Sequence, residues 1–506
     1  MKHFSHLSPT CRLCWSNPFA RALLLFLLPL VPSRADQPQW GTAWTRNPVS
    51  PETKLPDTFD PGTKKNVKWV ADLGSQTHST PVIAGGRVFI GTNNANPRDS
   101  KHTGDRGVFM CLDEKDGRLL WQLVVPKLED DDYLDWPNTG IASEGTVEGD
   151  RVYTVTNRGE VVCLDVHGMA NGNDGPYQDE GKHLALRGQP PVPPGPLDAD
   201  IIWLLDMKAA CGIWCHDGAH SSILIHGGHL YLNTGTGVDN THRVIRRPLA
   251  PGLIVVDKST GQYLARENEN ISPNIFHAGW SSPAFAEIDG KPTIIYCGGN
   301  GITYAFDPLP ATPPSEAVQN LTKRWTYDMD PTAPKTNVHA FTSNKMEGPS
   351  NIYGMPVIEN GRIFLAGGGD VFWGKNESWL KCVDPGEGKE VWSYPMGKHT
   401  LTTPAVHGGL VYATDAGGTL HCVDEISGQP VWKHSMEGQF WASPLVADNK
   451  IYLGTRKGHF NILTAGRRLQ VLTDLQLKSP LSATTTAANG VIYLATMKQL
   501  WALRAD

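Results

Sequence analysis

Short apolar runs separated by turn residues recur along this chain with a regularity that sets its architecture. The plainest copy, Leu401 to Trp432 (LTTPAVHGGLVYATDAGGTLHCVDEISGQPVW), reads as an apolar run, a Gly-Gly turn, an alternating run, a Gly turn, another run, and a last turn into a short segment ending in Trp. Apolar and polar residues alternate with period two, the pattern of half-buried strands, so one unit is four antiparallel strands. Related starts follow Ser79, Ser143, Ser221, Ser281, Gly354, Ala442 and Ala483, giving eight copies. Aligned on the position of the Pro in TPAV, the anchors are Pro81, Gly145, Ile223, Pro283, Pro356, Pro404, Pro444 and Thr485. Eight residues after seven of them stand Phe89, Tyr153, Tyr231, Phe364, Tyr412, Tyr452 and Tyr493; the fourth copy carries an insertion before Tyr296.

A four-stranded unit of about 40 residues cannot bury both faces alone, and stacking in a closed ring protects its edges. The expected fold is all-β: an eight-bladed β-propeller of four-stranded antiparallel blades. The eighth copy ends at Leu503 without an outer strand, and Asn66 to Val70 (NVKWV) is an orphan strand, so this N-terminal strand is predicted to complete blade eight and close the ring. The expected organisation is a signal peptide over 1–35, an N-terminal extension over 36–65 and the propeller over 66–506.

Three segments, CLDEKDGRLLW (Cys111 to Trp121), CVDPGEGKEVW (Cys382 to Trp392) and CVDEISGQPVW (Cys422 to Trp432), place Gly four and Trp eight residues after the Asp. This resembles the tryptophan-docking repeat of the PQQ-like family, which includes quinoprotein dehydrogenases and outer-membrane assembly propellers. The resemblance implies that Trp121, Trp392 and Trp432 pack against the neighbouring blade. Asp135 to Asp165, His277 to Pro308 and the QWGTAW start at Gln39 resemble more closely the secreted PQQ-like propellers of planctomycetes and related bacteria.

Composition fits this picture. Gly (52) and Pro (38) make 90 of 506 residues, dense in turns yet short of the disordered range, and only 19 % are charged. Lys2, Arg12 and Arg21 precede an apolar core from Ala22 to Val31, and Ser33-Arg34-Ala35 resembles a cleavage site, so a secreted or periplasmic protein starting near Asp36 is expected. Ten apolar residues do not span a bilayer, and no later stretch is longer. Without residues 1–35 the chain has 41 basic against 51 acidic residues, which argues against nucleic acid as a partner.

Seven cysteines follow the leader. Cys111, Cys163, Cys382 and Cys422 share one motif position, where other copies have Ala305 or Val256, and read as small buried strand residues. CGIWCHDGAH brings Cys211, Cys215, His216 and His220 within ten residues, which leaves a local disulfide, a zinc cluster or unpaired thiols, the disulfide being favoured in an exported chain. NGNDG (Asn171 to Gly175) lacks the carboxylate pattern of a calcium loop and is read as an Asn-Gly turn. Asp130 to Asp132 with Asp135 reads as a solvated acidic loop, with a cation site as the other reading.

Anchor spacings put the extra chain in blades one to four, mostly in loops on one face, called the top. Three residues before each anchor lie His78, Ala142, His220, Trp280, Tyr353, Leu401, Trp441 and Ser482, which are expected at the channel mouth. His78, His220, Trp280, Tyr353 and Trp441, with Asp370 in an adjacent loop, are the candidate cofactor- or ligand-binding residues; His216, Asp217, Asp239, His242, His277 and His339 add polar groups nearby. No catalytic residue or metal ligand is assigned.

The favoured function is a scaffold or binding module taking a small-molecule, sugar or protein ligand on the top face, as a monomer. The alternative, implied by the resemblance, is a quinoprotein-type oxidoreductase oxidising an alcohol or sugar with PQQ and calcium as cofactors. Against it, the chain has no Cys-Cys dipeptide to cover a quinone, no C-x-x-C-H haem site in the mature chain, and no placeable calcium ligands or catalytic Asp.

Overall fold

The computed structural model describes residues 36–128, 135–217, 220–312 and 317–505. The leader and Asp130 to Asp132 therefore lie outside the described residues. Eight sheets form an eight-bladed propeller, each with four antiparallel strands in simple meander order. Blade one is Val82–Ala84, Arg87–Asn93, Arg106–Asp113 and Leu119–Pro126, running from the channel outwards. In blade eight the outer strand is Val67–Asp72, paired antiparallel to Gln499–Leu503, so the N-terminal strand closes the ring as the orphan segment predicts. No helix among the described residues is long and apolar enough to cross a membrane.

The repeat aromatics pack as expected. Phe89 faces Val82 across the first two strands of blade one, and Tyr412 and Tyr452 hold the same place in blades six and seven, all buried. In blade four the partner of Ala284 is Ile295, one residue before Tyr296, because the hairpin strands run two residue pairs further, to Ile288 and Lys291, before a two-residue turn.

Six tryptophans dock blade on blade. Trp69, Trp121, Trp203, Trp325, Trp392 and Trp432 each donate the indole N–H to a carbonyl in the next blade: those of Glu114, Val166, Lys258, Pro385, Glu425 and Gly466, at 2.8–3.1 Å. In most cases the ring lies against a turn glycine. A Cβ on Gly428, which has φ +69°, would sit 2.6 Å from Trp392. Cys111, Cys163, Cys382 and Cys422 stand directly across the strand pair from Trp121, Trp203, Trp392 and Trp432, which is why that position stays small. Among the described residues the seams after blades three and seven have no docking tryptophan and are stitched otherwise. Gln319–Asn320 adds a parallel strand to the outside of blade three. At the other seam Pro56 and Asp57 accept from Tyr452 and Thr473, and Phe59 packs on Phe460 and Trp501.

The N-terminal extension does more than lead to the closing strand. Gln37 to Ser50 makes one circuit of the channel and bonds each inner strand in turn, two residues past its anchor. The carbonyls of Gln37, Pro38, Trp44, Thr45 and Pro48 accept from the amides of Ile83, Val147, Phe285, Ile358 and Val446. Trp44 Nε1–H donates to the Ile225 carbonyl, Asn47 pairs with the backbone of Val406 on both sides, and Ser50 donates to Ala487. A barrel of inner strands presents unpaired backbone groups to its lumen, and this plug satisfies one in every blade. Arg46, wholly buried with φ 60°, sits at its centre and donates to the carbonyls of Pro283, Ser222 and Trp40.

Candidate functional site

Because the plug fills one end, the channel is a blind cavity of about 500 Å³ that opens among the long loops of the top face, with Trp40 of the plug in its lining. Inner-strand residues alternate inwards with period two, so two tiers face the lumen. The lower tier is built from residues one before each anchor and is polar except at Met355. Thr484 N–H donates to Thr80, Ser443 to Thr484, Thr403 to Ser443 and Met355 to Thr403, each hydroxyl accepting from the preceding blade. Glu144 accepts from Thr80 N–H and the Ser222 hydroxyl, and burial raises its pKa although these bonds and Arg46 oppose the shift.

The upper tier comes from three residues before each anchor, and all eight, His78, Ala142, His220, Trp280, Tyr353, Leu401, Trp441 and Ser482, line the cavity. Their rings form a collar. Ring centroids are 5.9 Å apart for His78 and Trp441, 6.5 Å for His78 and His220, 5.5 Å for His220 and Trp280, and 5.0 Å for Trp280 and Tyr353. Phe372 and Trp373 from the Gly369 to Glu377 loop lean in above, Phe372 5.9 Å from Trp441. Arg456 lies 4.4 Å over Trp441 and donates to Ser482, placing one fixed cation at the rim. The Trp280 indole N–H is buried without an acceptor among the described residues, although it borders the lumen. Burial, with the nearby His220 and Arg456, lowers His78 to about 3, and burial also lowers His220, so both imidazoles are neutral at pH 7.

Asp370 stands one layer behind the wall and outside the lining. Its Oδ2 accepts from His277 Nδ1 at 3.0 Å and from the Tyr353 hydroxyl, and its Oδ1 from the amides of Phe372 and Trp373. It positions the collar and the loop above it, and despite burial these bonds hold its pKa low. Asp217, His242 and His277 do line the cavity, whereas Asp239 is tied to Thr241 and Arg246, and His339 stacks on Phe276 away from it.

Cys211 and Cys215 are free thiols, as are the other five described cysteines, which overturns the expected local disulfide. Cys211 ends the helix Met207–Cys211 near Tyr263, and Gly212 in the left-handed region turns the chain so that Cys215 enters the core and bridges to Thr236. The alternative zinc cluster of Cys211, Cys215, His216 and His220 does not assemble either: His220 joins the collar beside His78. On the bottom face the Asn171 to Gly175 segment brings Asp174 near Asp165 and Asp200, held by the Asp174 amide bonding Asp200.

Calcium takes six to eight oxygen ligands. The carboxylates lining this cavity are Glu144, whose oxygens are committed to Thr80 and Ser222, and Asp217, which stands among imidazoles. That donor set does not fit the calcium of a quinoprotein site.

The sequence profile of the family described as outer membrane protein assembly factor BamB matches residues 60–168 and 376–505. Comparison with curated proteins finds no match. Among solved structures, BamB from Moraxella catarrhalis is similar at TM-score 0.50 and 12 % identity, over 86 % of this chain and 96 % of that one. A europium-containing methanol dehydrogenase is similar at TM-score 0.57 and 11 % identity, over 91 % and 89 %. The computationally designed Ika8 protein matches at TM-score 0.50 and 10 % identity, over 86 % and 99 %. At these identities the likeness concerns fold alone. The two matched stretches, the docking tryptophans and the eight-bladed likeness together support a PQQ-like β-propeller.

Proposed function

We propose that this chain is an exported binding propeller whose blind cavity holds one small planar or sugar-like ligand against aromatic faces. The observation that carries the reading is the convergence of all eight upper-tier residues on one lumen, with the Trp280 N–H, the Arg456 guanidinium and neutral imidazoles set to orient polar groups. Apolar walls with a few fixed donors, in a volume of this order, are what small-molecule sites require. Export rests on the basic and apolar pattern of residues 1–35, which we take as a removable leader ahead of the extension and propeller.

The quinoprotein alternative draws on the dehydrogenase-like fold and on Trp280 and Trp441 as a possible sandwich for a planar quinone, while the calcium donors speak against it. One experiment separates the two. The chain from Asp36 is titrated with a panel of oligosaccharides and planar carboxylates, PQQ with and without Ca²⁺ among them, following tryptophan fluorescence and thermal shift. Stoichiometric binding that falls at least tenfold in Trp280→Ala and Trp441→Ala supports the binding reading. Ca²⁺-dependent PQQ binding with alcohol-dependent dye reduction would replace it by the enzyme reading.

A further inference from the structure

We propose that His216, His242 and His277 form a binding centre for a first-row divalent transition metal, set in the wall of the cavity between blades three and four. Their nearest ring nitrogens all lie within 4.8 Å of one another, and the ring centroids are 4.5, 5.1 and 5.3 Å apart. The three side chains reach this point from separate loops: His216 follows the helix Met207–Cys211, His242 sits in the turn begun by Asp239, and His277 precedes the inner strand of blade four.

What distinguishes this cluster from packed core histidines is how each ring is pinned. His216 Nδ1 lies 2.7 Å from the Val238 carbonyl, which can only accept, so that nitrogen carries the proton and Nε2 keeps its lone pair. His277 Nδ1 donates to Asp370, whose other oxygen is filled by two backbone amides, again leaving Nε2 as a lone pair. One nitrogen of His242 bonds the backbone of Asn240. The Nε2 atoms of His216 and His277 are buried with no hydrogen-bond partner among the described residues, in side chains that are 0 % and 2 % exposed. Two buried lone pairs without a donor among the described residues, on rings whose centroids are 4.5 Å apart, are a destabilising arrangement in an ordinary core and a ready one for a cation. The His277–Asp370 pair is the carboxylate–histidine arrangement that fixes a metal-bound imidazole.

Three imidazoles select Zn²⁺, Co²⁺, Ni²⁺ or Cu²⁺ over calcium or magnesium. Around a tetrahedral ion with bonds of about 2.05 Å, donors lie about 3.3 Å apart. The cluster therefore closes by at most about 1.5 Å, a movement available to the half-buried His242. Three protein nitrogens leave a fourth position. Asp217, its Oδ2 3.5 Å from His216 Nε2 and its Oδ1 buried with no hydrogen-bond partner among the described residues, stands beside it on the cavity side. The centre would thus present a metal edge to whatever occupies the lumen.

The test uses tag-free chain from Asp36, stripped with chelator and titrated with Zn²⁺ by calorimetry and with Co²⁺ by visible absorption, no organic ligand being present. The expected result is one equivalent bound at micromolar Kd or tighter, a tetrahedral Co²⁺ band, and no competition from Ca²⁺. His242→Ala, at the accessible corner of the site, should weaken binding more than a hundredfold, and Asp370→Asn about 10–100-fold through the orientation of His277. His216→Gln and His277→Gln should abolish the Co²⁺ band. If either fails to fold, His242→Ala carries the decision alone. Absence of stoichiometric Zn²⁺ or Co²⁺ binding, or binding unchanged in both His242→Ala and Asp370→Asn, overturns the proposal. Because Trp280→Ala and Trp441→Ala leave the three imidazoles intact, they should retain the metal, so failure of the ligand reading and of the metal reading are seen separately.

Discussion

Replacing Arg46 tests whether the plug is a structural member of the ring or a tail resting in its lumen. The guanidinium donates three hydrogen bonds, at 2.9, 2.8 and 3.3 Å, to carbonyls of blade four, blade three and the plug itself. Charge-assisted bonds contribute about 1.5–3 kcal/mol each, so the gross loss is about 4.5–9 kcal/mol. Burying the charge opposes this. Desolvation brings the Arg46 pKa from 12.5 to about 10, equivalent to about 3 kcal/mol of penalty that the substitution removes. The net for Arg46→Ala is then about 3 kcal/mol of destabilisation. Arg46→Met should also destabilise: a hydrophobic replacement can match an ion pair, but here the partners are backbone carbonyls that stay behind unsatisfied. With an unfolding entropy of about 1 kcal/mol/K for the roughly 460 described residues, either change lowers Tm by about 3 °C. Hydrogen exchange reads the same event locally, since the amides of Phe285 and Ile358 bond the plug beside Arg46 and should lose protection before the outer strands do. An unchanged or raised Tm in Arg46→Met, with Phe285 and Ile358 still protected, would refute the reasoning.

Other expectations are direct. Trp121→Ala removes a ring that is 1 % exposed and its bond to Val166, and should cost about 3–5 kcal/mol by denaturant unfolding; Gly428→Ala, forced against Trp392 at positive φ, should cost about 1–3 kcal/mol at its seam. Acid should destabilise the chain through His78. At pH 7 its ring is neutral both folded and unfolded, but between pH 6.5 and about 3 only the unfolded form takes the proton. Stability should therefore fall by at most about 1.4 kcal/mol per pH unit across that window, and His78→Gln should flatten the slope measured by Tm against pH. The thiols should behave as inert core groups: burial pushes Cys211 and Cys215 up to about 12, so native chain should react slowly with a disulfide reagent, and reductant should leave Tm unchanged.

Much of this architecture is legible in the chain because each blade repeats the same local code. Alternation gives the strands, glycine pairs give the turns, and the Asp-to-Trp spacing gives the docking. The code fails where insertions stretch it. Trp203 and Trp325 dock like Trp121, yet loops of the bottom face separate them from Asp165 and Asp307, so the eight-residue spacing is lost. Fixed offsets from the anchors foresee the collar, since inner strands share one register, and Asp370 is found beside that collar rather than in it. Nothing periodic marks Gln37 to Ser50, whose partners are spread from Ile83 to Ala487. The three histidines are equally hidden: His216, His242 and His277 meet only because two neighbouring blades fold their loops together, and the nearby Cys211 and Cys215 draw attention to the wrong partners.

The circuit of the plug also sets a count. Fourteen residues meet eight inner strands in chain order, and the segment runs on to become the outer strand of the last blade, so both ends of its path are fixed by the number of blades between them. An open solenoid can gain or lose a unit, because each repeat touches only its neighbours. Here an added blade would leave one inner strand unmet and a lost one would strand a plug residue, so the leading segment acts as a ruler that admits eight blades and penalises seven or nine.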